Sequence, residues 1–238
     1  MLECETTNPE PAHTVQKAAV RFDARRVYTV LLVAPLLYAA ICYLPPIAFT
    51  CIAAVAGALS LSELYRLCLP SAHSLTIGVG IVGCIALIVG PHYPNMVQPS
   101  LLVALVAILS IPLLMKMPLH DSLREGAITM TGLLYIGLTL SYLVMIRFLP
   151  QGEWFLLFLL LVTWAADTGA YYVGTLCGQH ALAPRISPKK TIEGLVGGFL
   201  GAMIFAYIAR WWFLSDLSGL DCLVLAVLLS ALLHALVA

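Results

Sequence analysis

The sequence predicts an all-α, polytopic integral membrane protein, because of its composition, its apolar runs and the placement of its turns. Of its 238 residues, 61% are hydrophobic and 10% are charged, whereas a soluble domain averages about 45–50% apolar and about 25% charged residues. Apolar runs long enough to cross a bilayer as helices recur along the chain. The alternation typical of membrane β-strands, with about ten residues per segment, is absent from the sequence.

About eight apolar segments follow a polar stretch at the N-terminus. Prolines, glycines and short polar runs separate the segments, as turn chemistry requires. The predicted segments are 27–44, 47–65, 74–90, 100–115, 127–148, 154–177, 194–214 and 220–238. The third and fourth are short for a bilayer span. We therefore expect a polar cytoplasmic lead over residues 1–26 and a transmembrane helical domain over residues 27–238.

The basic residues are distributed unevenly between the two sides of this predicted topology. If the N-terminus is cytoplasmic, ten of the twelve Lys/Arg residues fall on the cytoplasmic side, and only Arg147 and Arg210 fall on the other. The ten are Lys17, Arg21, Arg25, Arg26, Arg66, Lys116, Arg124, Arg185, Lys189 and Lys190. Such a bias orients membrane proteins. It predicts a multi-pass membrane protein whose polar loop before residue 194 faces the cytoplasm.

One carboxylate, Asp167, lies well inside an apolar segment. A charged side chain near the centre of a membrane helix costs roughly 2.5–3.5 kcal/mol on insertion scales, so such residues usually line a protein interior or a cavity. The neighbouring Gly169, Gly174, Tyr171 and Tyr172 favour a functional site over a structural hydrogen bond to another helix. A second carboxylate, Glu63, is interpreted as an interfacial residue paired with Arg66.

The densest polar stretch of the chain is ISPKKTIEG, at residues 186–194. Lys189 and Lys190 suit phosphate oxygens, Ser187 and Thr191 can donate hydrogen bonds, and Glu193 can accept one, act as a base or hold a divalent ion. A helix starting near Thr191 would also present free backbone N–H groups to an anion. The alternative is that the lysines only fix topology and touch anionic lipid headgroups. The residues by themselves leave the two interpretations equal.

Four glycines open the next segment and share one helix face. They are Gly194, Gly197, Gly198 and Gly201. Their spacing of three and four residues predicts close packing against another helix.

The sequence from Asp167 to the end of the glycine-rich stretch resembles the bacterial phosphatidate cytidylyltransferase (CDP-diacylglycerol synthase) family. Three motifs carry the resemblance in the family's order and spacing: D-x-x-A-Y, G-x-x-x-G-x-H-x-L-x-P and I-S-P-K-K-T-x-E-G. Their positions are Asp167, Ala170, Tyr171, Gly174, Gly178, His180, Leu182, Pro184 and 186–194. The resemblance is strong from about residue 130 to 200 and weak before that.

The resemblance implies a transferase that converts CTP and phosphatidic acid into CDP-diacylglycerol and diphosphate, with a divalent metal such as Mg²⁺. It implies a catalytic set of Asp167, Lys189, Lys190 and Glu193. The implied substrate-binding set is Arg185, Ser187, Lys189, Lys190 and Thr191. Asp167 and Glu193 are expected to support a metal or a polar network. The ligands of the metal are unknown, because the cysteines and histidines are dispersed and show no ligand spacing.

The expected partners are the two substrates and the lipid bilayer, with no nucleic acid. The glycine-faced helices are compatible with a homodimer. The main alternative is a transporter or flippase of an anionic lipid or metabolite, in which Asp167 would be a coupling residue. Transporters favour repeat symmetry, which the sequence does not show.

The sequence departs from the family pattern after residue 194. Family members carry a second signature, with K-D and H-G-G-x-x-D-R-x-D segments, and Asp216 and Asp221 are the only acids that follow Glu193 here. We therefore expect either a truncated chain or a degenerate member that is inactive as it stands.

Overall fold

The computed structural model describes residues 24–70, 73–115, 118–183 and 187–237. Within these ranges the side chains of some residues, including Lys189, lie outside the description. Most of the predicted lead, residues 1–23, is likewise not described, and helix begins at Ala24. The chain divides into two compact units, Tyr28–Leu157 and Phe158–Ala238, the second of which also includes the residues up to Val27.

The architecture is helical, as predicted. The α-helices are α1 Ala24–Cys42, α2 Pro46–Cys68, α3 Ser74–Val89, α4 Val97–Met115, α5 Leu119–Gly132, α6 Thr139–Arg147, α7 Gly152–Cys177, α8 Ile192–Trp212 and α9 Gly219–Val237. A 3₁₀ turn, Gly90–His92, follows α3, and a π-helical turn, Leu133–Leu138, joins α5 to α6. Two short strands, β1 Ala181–Ala183 and β2 Ser187–Thr191, lie between α7 and α8.

Five helices in the described part of the chain are long and apolar enough to cross a membrane. They are Pro46–Cys68, Ser74–His92, His120–Arg147, Gly152–Cys177 and Ile192–Trp212. Three shorter apolar helices, Leu32–Cys42, Val97–Pro112 and Gly219–Leu233, accompany them. The prediction of an all-α polytopic membrane protein is therefore confirmed. The third predicted segment reaches a spanning length, whereas the fourth remains short.

The unit Tyr28–Leu157 is built around α3, which packs against α2, α4 and the π-helical turn. Its core includes the fully buried side chains of Leu61, Leu87 and Leu133. Lipid tails are as apolar as these side chains, so helices in a bilayer associate mainly through close packing. Gly132 illustrates this packing, because a Cβ there would collide with the Leu61 side chain.

One predicted break in this unit is shorter than the sequence indicated. The MPLHDSLREG run does separate two helices, α4 and α5, but α5 already begins at Leu119 and continues through the π-helical turn into α6. Pro118, in an extended conformation, precedes the helix, and Asp121 lies in its first turn. A carboxylate there is favoured by the positive end of the helix dipole. The run is thus a helix start, and it carries Glu125 into the packed core, where the residue is 7% exposed.

The expected pair of Glu63 and Arg66 is not formed. Both residues are exposed on α2, and neither has an ion pair to another residue that the structure describes. Glu63 remains consistent with an interfacial position, but Arg66 does not neutralise it.

In the unit Phe158–Ala238, α8 packs against α9. Small side chains make this contact close: Ala202, Ala206 and Ala209 on α8, with Cys222 and Ala226 on α9, are completely buried. The turn between the two helices is tied to α8, because Arg210 Nε donates to the Leu217 carbonyl oxygen at 2.7 Å. The first turn of α9 is closed by hydrogen bonds between Ser218 and Asp221.

Candidate functional site

The polar stretch between α7 and α8 forms a β-hairpin, whereas the sequence suggested a loop. Strands β1 and β2 are antiparallel, with Ala181 opposite Thr191 and Ala183 opposite Ser187. Pro188 restricts the preceding residue to extended conformations, and an isolated two-stranded ribbon tolerates a proline better than a central strand does. Ser187 and Lys190, both half-buried, are therefore held on one strand that leads directly into α8.

Thr191 is the last residue of β2 and the N-cap of α8. Its hydroxyl accepts a hydrogen bond from the Gly194 backbone N–H at 3.1 Å. The side chain is 4% exposed, because glycines of α7 and the following turn surround it. A Cβ on Gly174 would lie 3.1 Å from Thr191 Oγ1, and one on Gly178 would lie 2.7 Å from Thr191 Cγ2. Only glycines leave room for the end of α7 to approach the start of α8 this closely.

Glu193, in the first turn of α8, is the centre of a hydrogen-bond cluster. Its Oε1 lies 2.6 Å from His180 Nδ1. Its Oε2 accepts the backbone N–H groups of Gln179 at 3.1 Å and His180 at 3.3 Å. Because the carboxylate only accepts, Nδ1 of His180 carries the shared proton. The sequence included His180 as a motif position but indicated no partner for it.

The expectation of free N–H groups at the start of α8 is wrong for two of them. The Ile192 N–H donates to the His180 carbonyl oxygen at 2.9 Å, and the Gly194 N–H donates to Thr191. Since these donors are used within the chain, the helix start does not offer an open set of amides to an anion. Any phosphate contact would therefore depend more on the lysines than on α8.

The glycines of α8 pack against α7, as their spacing predicted. Gly194, Gly197 and Gly198 are buried. A Cβ on Gly169 would collide with the Gly197 carbonyl oxygen, and one on Gly201 would lie 2.5 Å from the Ala165 carbonyl oxygen. The two helix backbones are thus in direct contact over several turns.

Asp167 lies on a different face of α7. Ala165 and Ala166 are buried, but Asp167 and Thr168 are exposed, and Tyr171 is 47% exposed. Asp167 has no hydrogen bond or ion pair to Ser187, Lys190, Thr191 or Glu193. Among the described residues, Asp167 and the hairpin side chains are thus not directly hydrogen-bonded or ion-paired. Arg185 and the Lys189 side chain lie outside the described residues.

No group of three or more His, Cys, Asp or Glu side chains among the described residues could hold a metal ion. Both Glu193 oxygens are already occupied by donors of the chain. The Asp167 carboxylate is the one predicted metal-supporting group without a described partner, and Mg²⁺ usually needs one or two carboxylates together with substrate phosphates.

The fold and this site define a class: a polytopic helical membrane protein with a basic hairpin held against the start of a spanning helix. The sequence model of the cytidylyltransferase family matches residues 24–237. The chain belongs to that family.

Several curated relatives share this similarity. A phosphatidate cytidylyltransferase of Staphylococcus haemolyticus is 32% identical over 158 residues, which are 63% of this chain and 59% of the relative. Those of Staphylococcus saprophyticus and Bacillus subtilis are each 42% identical, over 83 and 84 residues, or 35% of this chain and 31% of each relative. The chain thus spans between about a third and three fifths of the length of these relatives.

Proposed function

We propose that this protein transfers a cytidylyl group from CTP to phosphatidic acid, forming CDP-diacylglycerol and diphosphate. The observation that carries the proposal is the segment of residues 187–194, which forms one strand of the hairpin and the first turn of a spanning helix. Basic and hydroxyl side chains at that place suit a nucleotide and a lipid phosphate. The relatives named phosphatidate cytidylyltransferase support the same reaction.

In the proposed reaction, an oxygen of the lipid phosphate attacks the α-phosphorus of CTP. The bond between that phosphorus and the bridging α–β oxygen breaks, and diphosphate leaves with the bond electrons. Catalysis of such a transfer is mainly positioning and neutralisation of charge. We assign Lys189 and Lys190, with support from Arg185, to the phosphates, and Ser187 to their orientation.

We assign Thr191 to holding the start of α8, because its buried hydroxyl already caps that helix. Asp167 is proposed to support a divalent ion bound with the substrate phosphates. A requirement for Mg²⁺ is carried over from the family resemblance, and we derive no step from it. The active face is proposed to be cytoplasmic, with the N-terminus on the same side of the cell membrane and a homodimer as the assembly.

The test uses liposomes that contain phosphatidic acid, with labelled CTP and Mg²⁺. For a chain that also carries the family's second signature, we expect lipid-linked CMP to form and Lys190→Ala to lower kcat/KM by about 100-fold, a typical cost of removing one charge-stabilising donor. Residues 1–238 by themselves are expected to be inactive. Lys116→Ala, which removes a lysine assigned to the same predicted side, is the control and should leave the rate unchanged. Absence of lipid-linked CMP from a chain that carries both signatures would contradict the proposal, and phosphatidate translocation without CMP transfer would favour the transporter.

A further inference from the structure

We infer that Glu193 and His180 form a clamp that holds the base of the β1–β2 hairpin and thereby positions Lys190. Glu193 is then a positioning residue, not a ligand of a divalent ion. The catalytic consequence of this inference rests on the proposed function, whereas the clamp itself rests on the hydrogen bonds alone.

Four hydrogen bonds define the clamp. Three converge on the Glu193 carboxylate, from His180 Nδ1 and from the backbone N–H groups of Gln179 and His180. The fourth runs in the opposite direction, from the Ile192 N–H to the His180 carbonyl oxygen. Together they join residues 179–180 to residues 192–193, immediately outside the pair of Ala181 and Thr191. The clamp therefore closes the open end of the hairpin.

The hairpin needs such a support, because an isolated two-stranded ribbon is marginally stable. Its strands contain three and five residues, which is too few for a packed core. Lys190 immediately precedes the N-cap of α8. If residues 179–180 separated from α8, β2 could shift. The clamp therefore fixes the position of Lys190 relative to α8.

The hydrogen bonds that the Glu193 carboxylate already accepts distinguish a positioning role from a role in metal binding. An ionised carboxylate has about four lone-pair sites, and three are used by donors of this chain. A divalent ion at Glu193 would have to displace the short contact to His180, whose side chain is itself 71% exposed. The geometry thus leaves about one lone-pair site of the Glu193 carboxylate without a donor from this chain.

Limited trypsin digestion of the purified full chain measures the clamp directly, since Lys189 and Lys190 are cleavage sites within β2. We expect Glu193→Ala to raise the rate of cleavage after these lysines by about tenfold or more, because several bonds to a charged acceptor are lost and local opening becomes easier. His180→Leu should raise the cleavage rate less. His180→Asn keeps an N–H donor near the Nδ1 position, so its cleavage rate should stay close to that of the unmodified chain.

The double variant Glu193→Ala, His180→Leu should be cleaved no faster than Glu193→Ala, because both changes remove the same contact. The matched control is Glu153→Gln. Glu153 also lies in the first turn of a spanning helix and is paired, in its case with Arg147 at 3.1 Å. Its substitution should leave cleavage in the hairpin unchanged. If Glu193→Ala is not recovered folded, the clamp is tested by comparing the cleavage rates of His180→Leu and His180→Asn.

The inference of a clamp is contradicted if Glu193→Ala and His180→Leu are cleaved as slowly as the unmodified chain. It is also contradicted if their effects on the cleavage rate multiply in the double variant. The positioning role is tested in the transfer assay. Glu193→Ala should lower kcat while the Mg²⁺ concentration for half-maximal rate stays within about twofold. In metal sites, even the loss of a residue that only orients a ligand typically costs about 10–100-fold in metal affinity. A tenfold rise in that concentration would overturn it. If a chain that carries both signatures shows no transfer, the proposed function fails and the trypsin result still decides the clamp.

Discussion

Two glutamates in separate units of this protein receive nearly the same set of hydrogen-bond donors. Glu193 accepts from the backbone N–H and Nδ1 of His180. Glu125 accepts from the backbone N–H and Nδ1 of His73, both at 3.3 Å, and from the Thr76 hydroxyl at 2.6 Å. His73 is the N-cap of α3, so each carboxylate lies at the start of a helix, where the helix dipole favours negative charge.

The two clusters differ in the sequence separation of the residues they join and in the burial of the carboxylate. Glu125 is joined to residues 49 and 52 positions away, and its side chain is 9% exposed. Glu193 is joined to residues 13 and 14 positions away, and its side chain is 25% exposed. The same chemistry therefore has two uses. Glu125 links α5 to α3 inside a helix bundle, whereas Glu193 closes a local hairpin, so loss of Glu125 should affect the whole unit and loss of Glu193 mainly the hairpin.

The largest effect on stability is expected at Glu125. Glu125→Ala leaves the buried Thr76 hydroxyl and the His73 donors without their acceptor, and should lower the free energy of unfolding by about 3 kcal/mol. Denaturant unfolding in detergent, followed by tryptophan fluorescence, measures the change. Glu125→Gln, which keeps one acceptor oxygen, should cost less. A loss no greater than that of Glu193→Ala would remove the distinction between the two clusters.

A smaller effect is expected where α7 meets α8. Gly169→Val places a Cβ against the backbone of Gly197 and Gly201, where no flexible side chain can give way. It should lower the unfolding free energy by about 1–3 kcal/mol, the usual cost of overpacking. Gly78→Ala is the control, since a Cβ there meets nothing within 4 Å. Equal stability of the two variants would show that the close approach of α7 and α8 is not needed.

The smallest of these effects is expected at Thr191. Thr191→Val keeps the shape but removes the N-cap acceptor of Gly194, which typically costs about 1 kcal/mol. Thr191→Ser keeps the hydroxyl and should unfold close to the unmodified chain in the same measurement. If serine fails to restore stability, packing against Gly174 and Gly178 is the main contribution of this side chain, and the cap is secondary.

The candidate site shows how far spacing can predict contacts. The glycines at positions 194, 197 and 201 follow helical periodicity, so their packing face could be predicted from residues three and four apart. The partners of Glu193 could not, because no periodic rule connects it to His180 across a hairpin. Glu125 was missed for a related reason: the polar run around it was interpreted as a turn, although Asp121 behind Pro118 was a usable signal of a helix start.

The sequence by itself determined the membrane class, the number of apolar segments and the glycine face of α8, because hydrophobicity and helical period are local properties of the chain. It also identified the polar segment between α7 and α8 as the place of chemical interest. Only the tertiary structure decided that this segment is part of a hairpin, that Thr191 and Glu193 bond to the chain itself, and that the Asp167 side chain is exposed. These outcomes depend on which groups meet in space, and a hydrogen bond is short and directional, so residues distant in sequence reveal it only once the chain is folded.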